Sequence, residues 1–123
     1  MLDHVSLVVR DIARARAFYD RALQPLGITC LYAKDPTAAG YGSGGRPYFW
    51  INQHATAPAG AHVAFAAADR ATVDAFHQAA IAAGGIDNGP PGLRPHYHPD
   101  YHGAFVLDPD GHNIEAVCRL PVG

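Results

Sequence analysis

The sequence predicts an α+β chain built from two strand–helix–strands modules in tandem. Three observations carry this. First, a block of residues repeats without a gap at a constant offset of 58. His4 matches His62, Val5 matches Val63, Asp11 matches Asp69, Phe18 matches Phe76 and Gly27 matches Gly85, with Ala13, Ala17 and Ala22 falling on Ala71, Ala75 and Ala80. Composition alone could match the alanines; it would not readily place His, cap, Phe and terminal Gly at one offset. Second, each copy runs from a short alternating apolar segment into an apolar stripe of helical period. Third, the chain closes on an apolar run, the turn Asp108-Pro109-Asp110-Gly111 and a second apolar run, which is a strand–turn–strand pattern.

In the first module, Leu2 to Val9 is expected as a strand with Val5, Leu7 and Val9 on one face and His4, Ser6 and Val8 on the other. Asp11 suits the N-cap of the helix that follows. Ile12, Ala15, Phe18, Tyr19, Ala22, Leu23 and Leu26 form its stripe, with Arg14, Arg16, Asp20 and Arg21 mostly outside it. Pro25 and Gly27 stop it. A strand is expected at Ile28–Ala33. The glycine-rich stretch from Pro36 to Pro47 is expected as a loop, with Tyr41 as a strand remnant. Tyr48–Gln53 is the next strand, with Tyr48, Trp50 and Asn52 sharing a face. Arg10 and Arg14 read as solvated surface charge.

The second module restarts at His62–Ala66, with Asp69 as its N-cap. Val73, Phe76, His77, Ala80 and Ile81 make the second stripe, closed by Gly84-Gly85. Asn88–Gly92 reads as a turn-rich loop. Arg94 to His102 reads as a further loop, rich in His and Tyr. The modules are bounded at 1–56 and 60–120. In the closing strand Ile114, Ala116 and Cys118 share one face, and Asn113, Glu115 and Val117 the other. Glu115 is thus a lone carboxylate among apolar or small neighbours, and it needs a partner, an aqueous cleft or a metal. His4 and His62 are the first choice of partner; Arg46 or Arg94 would be the alternative. His77 reads as structural and His112, after the turn, as exposed.

With 123 residues, the chain has room for one domain or two halves sharing a core, and 49% hydrophobic content supplies that core. A net charge of -2 with 16% charged residues gives no electrostatic case for nucleic acid or an anionic membrane surface. No apolar run approaches a membrane span, and no basic-then-apolar leader opens the chain. A soluble cytoplasmic protein is expected, with Cys30 and Cys118 as free thiols.

Four segments together resemble the vicinal oxygen chelate superfamily, the glyoxalase / bleomycin resistance / extradiol dioxygenase group. They are Asp3-His4-Val5 opening a strand, the helix from Ala17-Phe18-Tyr19 to Leu26-Gly27, Ala61 to Phe65, and Asp108 to Glu115. The resemblance spans essentially the whole chain. It implies two βαβββ modules forming a curled mixed sheet around a cleft. It also implies a metal site drawn from the first strand of each module and the last strand of the second, positions held here by His4, His62 and Glu115. Two imidazoles and a carboxylate form a facial set with open positions for substrate oxygens. A divalent Zn, Mn, Fe or Ni ion so held can stabilise negative charge developing on those oxygens. Glyoxalase-type relatives usually carry a fourth ligand on the last strand of the first module. Tyr48 to Gln53 has no carboxylate, so Trp50 and Asn52 would line the cleft instead, with Arg94 and His96 as further substrate contacts. Tyr101 and His102 are the candidates for acid–base or oxygen-binding roles beside Glu115.

The resemblance therefore implies a metal-dependent enzyme acting on a small oxygenated molecule, with lyase, isomerase, thiol transferase and dioxygenase chemistry left open. The alternative is a metal-free protein that sequesters a small molecule, like the bleomycin-binding relatives. The resemblance also implies a homodimer, since two-module chains of this family usually pair; if the modules swap, His4 would meet His62 and Glu115 across the interface.

Overall fold

The computed structural model describes residues 1–122. Its elements are β1 (Val5–Val9), α1 (Ile12–Ala22), a 3-10 turn (Gln24–Leu26), β2 (Thr29–Lys34), β3 (Ala38–Ser43) and β4 (Arg46–Gln53). They continue with β5 (His62–Ala66), α2 (Arg70–Ala82), β6 (Ile86–Leu93), β7 (His102–Leu107) and β8 (Asn113–Cys118). The strands form two four-stranded mixed sheets of identical order, β1-β4-β3-β2 and β5-β8-β7-β6. In each, the first strand pairs in parallel with the last and the others pair antiparallel. The repeat in the sequence is thus a repeat of topology, and neither sheet closes into a barrel.

Both helices start as their caps require. The Asp11 carboxylate accepts from the Arg14 N–H at 3.0 Å, and Asp69 accepts from the Thr72 N–H at 2.8 Å. The α1 stripe is buried at Ile12, Ala15, Phe18, Tyr19 and Ala22, and the α2 stripe at Val73, Phe76 and Ala80. These faces join the inward residues of both sheets in one core, where Phe49 of the first module meets Phe65 of the second at 5.2 Å. Each such buried ring contributes about 1.5–3 kcal/mol. The two modules share this core, which is why neither carries a separate one.

Two stretches expected as loops are strands. Gly40 and Gly42 lie inside β3 because the sheet has no room there for a side chain. A Cβ on Gly40 would sit 2.7 Å from the Trp50 ring, and one on Gly42 would sit 2.0 Å from the Arg46 carbonyl oxygen. Close approach, not flexibility, explains these glycines. β6 contains Pro90 and Pro91, which it tolerates as the outer strand of its sheet with register shifts at Asp87/Gly89 and Gly89/Gly92. The repeated glycines also differ in purpose. Gly27 takes φ +74 with open space around it, whereas a Cβ on Gly85 would lie 2.4 Å from Val106 and 2.7 Å from Phe18.

The turn after β7 locks the modules together. The buried Asp108 carboxylate accepts from the Tyr19 hydroxyl at 2.5 Å, the Asp110 N–H at 2.9 Å and the His112 N–H at 2.8 Å. Asp110 is buried too, and it faces Arg10 and Arg14 at 3.4 and 3.5 Å. Those arginines are therefore not idle surface charge: they balance a buried carboxylate. His112 is 2% exposed, contrary to expectation. Its Nε2 donates to the Val8 carbonyl at 2.9 Å and its Nδ1 accepts from the Ala61 N–H at 3.3 Å, tying β1 to the entrance of β5.

Candidate functional site

The parallel pairing of β5 with β8 builds the site. Ala64 lies opposite Glu115, and His62 is two residues earlier on the same face. His62 Nε2 donates to Glu115 Oε1 at 2.8 Å. Glu115 is 1% exposed, while the His62 side chain is 51% exposed toward a cavity of about 510 Å³. The other carboxylate oxygen accepts a hydrogen bond from the Tyr101 hydroxyl. Tyr101 ends the His/Tyr loop just before β7. Burial, and then the hydrogen bond to Glu115 and its charge, push the Tyr101 phenol up to about 12. Gly103 leaves space for this pair, since a Cβ there would sit 3.0 Å from the Tyr101 ring and 3.3 Å from Glu115 Oε2. His96 lines the same cavity.

The structure thus brings together His62, Glu115, Tyr101 and His96. Other expected residues stand elsewhere. His4 precedes β1 and lines a separate cavity of about 600 Å³, with Asp3, Arg46 and Tyr48. Its Nδ1 bonds the Asp3 carboxylate at 2.8 Å, and Asp3 pairs in turn with Arg46. Within one chain, the internal repeat therefore does not aim His4 and His62 at one cleft. Among the described residues no three His, Cys, Asp or Glu side chains converge on a point. Trp50 packs its ring against Gly40 and against Tyr32 at 5.6 Å, and half-buried Asn52 lies opposite Val8 and Ala38. Both belong to the first sheet. His102 points to the helix side of its own sheet, where Nε2 meets Asp74 of α2 at 3.0 Å. The alternation of β7 explains this, because Gly103 and Phe105 take the Glu115 side. Arg94 donates to the Gly92 and Pro90 carbonyls at 2.8 and 2.7 Å and stacks 5.5 Å over Phe105. Neither Arg46 nor Arg94 pairs with Glu115.

Three cavity residues were not foreseen: Tyr97, Phe105 and Arg119. Parity could have found Arg119, because Glu115, Val117 and Arg119 are spaced by two along an extended chain. The cavity therefore combines a buried carboxylate and an accessible imidazole, both metal donors once the proton between them leaves, with aromatic walls and one guanidinium.

Comparisons with known proteins agree with this architecture. The family model of the Glyoxalase/Bleomycin resistance protein/Dioxygenase superfamily matches residues 1–116. The chain is 34% identical to a glyoxalase/bleomycin resistance protein from Albidiferax ferrireducens T118, over 98% of this chain and 99% of that one, with a TM-score of 0.83. A glyoxalase-related enzyme from Fulvimarina pelagi is 20% identical with a TM-score of 0.77, over 100% of this chain and 92% of that one. The lactoylglutathione lyase from Agrobacterium tumefaciens is 16% identical with a TM-score of 0.70, over 96% and 92%. These last two likenesses are of fold. A search of curated proteins finds no match. Sequence and architecture together place the chain in the glyoxalase/bleomycin resistance protein/dioxygenase superfamily.

Proposed function

We propose that this chain is a divalent-metal-dependent enzyme acting on a small oxygenated substrate, working as a homodimer. The observation that carries the reading is Glu115: a carboxylate 1% exposed on a strand, held against an imidazole that opens into a cavity. A buried carboxylate without a fixed cation is costly unless fully hydrogen-bonded, and its position beside His62 suits a cation. The donor chemistry fits a Zn, Mn, Fe or Ni ion in part. One chain offers two donors, His62 and Glu115. The third, His4, is exposed and keeps its Nε2 free, because Nδ1 bonds Asp3. A second copy would supply that imidazole.

When bound, the metal would act as a Lewis acid toward two adjacent substrate oxygens. The chain's own residues do the rest. Glu115 accepts a proton at the carboxylate, Tyr101 holds the carboxylate oriented, and Tyr97 and Phe105 wall the substrate. Lyase, isomerase, thiol-transfer and dioxygenase reactions all accommodate this arrangement.

One observation favours a second reading, a metal-free sequestering protein: both Glu115 oxygens already have hydrogen-bond partners, His62 and Tyr101. Metal analysis separates the two. The enzyme reading expects about one divalent ion per chain, lost in His62→Ala, Glu115→Ala and His4→Ala. An ion content unchanged in all three variants, or no binding after reconstitution, would favour sequestration.

A further inference from the structure

We infer that the Glu115 cavity takes a small organic anion with a flat apolar body, and that Arg119 holds its carboxylate. This rests on the reading of that cavity as the substrate site. Every other arginine of the chain already has a polar partner. Arg10 and Arg14 face Asp110, Arg16 faces Asp20, Arg46 faces Asp3 and Arg70 faces Asp100. Arg21 and Arg94 donate to backbone carbonyls. Arg119 has neither a carboxylate nor a carbonyl partner among the described residues. Its guanidinium instead lies 4.9 Å over the Tyr101 ring, the same ring whose hydroxyl caps Glu115.

That placement has a chemical consequence. Stacking on Tyr101 leaves the planar fork of guanidinium N–H donors free, and the fork matches a carboxylate in two parallel hydrogen bonds. One tyrosine ring separates this anchor from the Glu115 carboxylate, and His62 lines the same cavity. A ligand whose carboxylate sits on Arg119 therefore extends its body toward those groups. The walls it meets are aromatic: the His96 and Tyr97 rings lie 4.1 Å apart and tilted, Tyr97 meets Tyr101 at 5.1 Å, and Phe105 lies 6.1 Å from His62. Tyr97 is 60% exposed, an aromatic face left open at the cavity. Flat rings pack on such walls in offset or edge-on contact. Charge alone would repel the anion at Glu115, so the guanidinium also sets the direction in which the ligand enters.

The test is calorimetric titration of the protein as purified with salicylate and benzoate, with benzamide as the uncharged counterpart. The Arg119→Gln and Arg119→Lys variants are titrated in parallel, and metal content is measured in each sample. The expected result is saturable carboxylate binding, at least about tenfold weaker benzamide binding, and a loss of about tenfold or more in Arg119→Gln. Arg119→Lys recovers part of the affinity, since it keeps the charge and loses the fork. Metal content stays that of the unsubstituted protein in both variants. Benzamide binding as tightly as benzoate, carboxylate affinity unchanged in Arg119→Gln, or no binding of either carboxylate at millimolar concentration would each overturn the inference. Carboxylate binding that depends on Arg119 in a protein that takes up no metal on reconstitution would leave the inference standing and remove the metal-dependent reading instead.

Discussion

Tyr101 caps Glu115: the phenol hydroxyl donates to Oε2 of a carboxylate that is 1% exposed, while His62 holds the other oxygen. Replacing Tyr101 with Phe removes one of two partners of a buried charge. In metal-free protein this is expected to lower unfolding stability by about 1.5–3 kcal/mol, read from urea denaturation. Unchanged stability would show that the carboxylate does not rely on the phenol.

The same pair predicts an alkaline effect. The Tyr101 phenol is raised from 10 to about 12 because folding favours its neutral form. Its contribution to stability is therefore fully present below pH 10 and is lost as pH rises through 12. In metal-free protein, the stability difference between the unsubstituted chain and Tyr101→Phe should shrink across that window. A difference constant to pH 12 would contradict the assignment.

Asp108→Ala should be among the most destabilising single changes. It leaves the Tyr19 hydroxyl and the Asp110 and His112 N–H groups buried without their acceptor. At about 1–3 kcal/mol for each unsatisfied group, the expected loss is at least about 3 kcal/mol in denaturant unfolding. Asp11→Ala, which removes only an exposed cap, should cost about 1 kcal/mol. Equal losses in the two variants would show that the Asp108 network does not bind the modules together.

The repeated glycines should respond differently to substitution. Gly27→Ala meets backbone strain alone, about 1–2 kcal/mol, and Gly27→Asn should recover part of it, because Asn tolerates the left-handed region. Gly85→Ala meets Val106, Phe18 and the Ala80 carbonyl, costing about 1–3 kcal/mol, and a larger residue should be worse. Thermal unfolding of the four variants checks the contrast.

Much of this fold was legible because local and global signals agree. The 58-residue offset, the Asp11 and Asp69 caps and most of the two helical stripes survive in the structure, though Ile81 of the second stripe is exposed. The alternation of β8 put Glu115 on the face opposite Ile114 and Ala116. What was not legible rests on contacts between distant segments. Gly40 reads as flexible until Trp50 lies over it. His112 reads as exposed until Val8 and Ala61 meet it. His102 and Tyr101 are adjacent in sequence, yet strand alternation sends His102 to Asp74 and leaves Tyr101 on Glu115. His4 reads as a partner of His62 until the chain sets it in a separate cavity, bonded to Asp3.

A metal site shared between two copies can be tested by complementation. His4→Ala and Glu115→Gln chains are unfolded together in equal amounts, refolded with excess divalent metal and analysed for bound ion. Each variant alone should bind none. Random pairing makes half the dimers mixed, and each mixed dimer keeps one intact site, so the mixture should hold about one quarter of an ion per chain. No metal in the mixture, or a monomer by light scattering, would contradict the shared site.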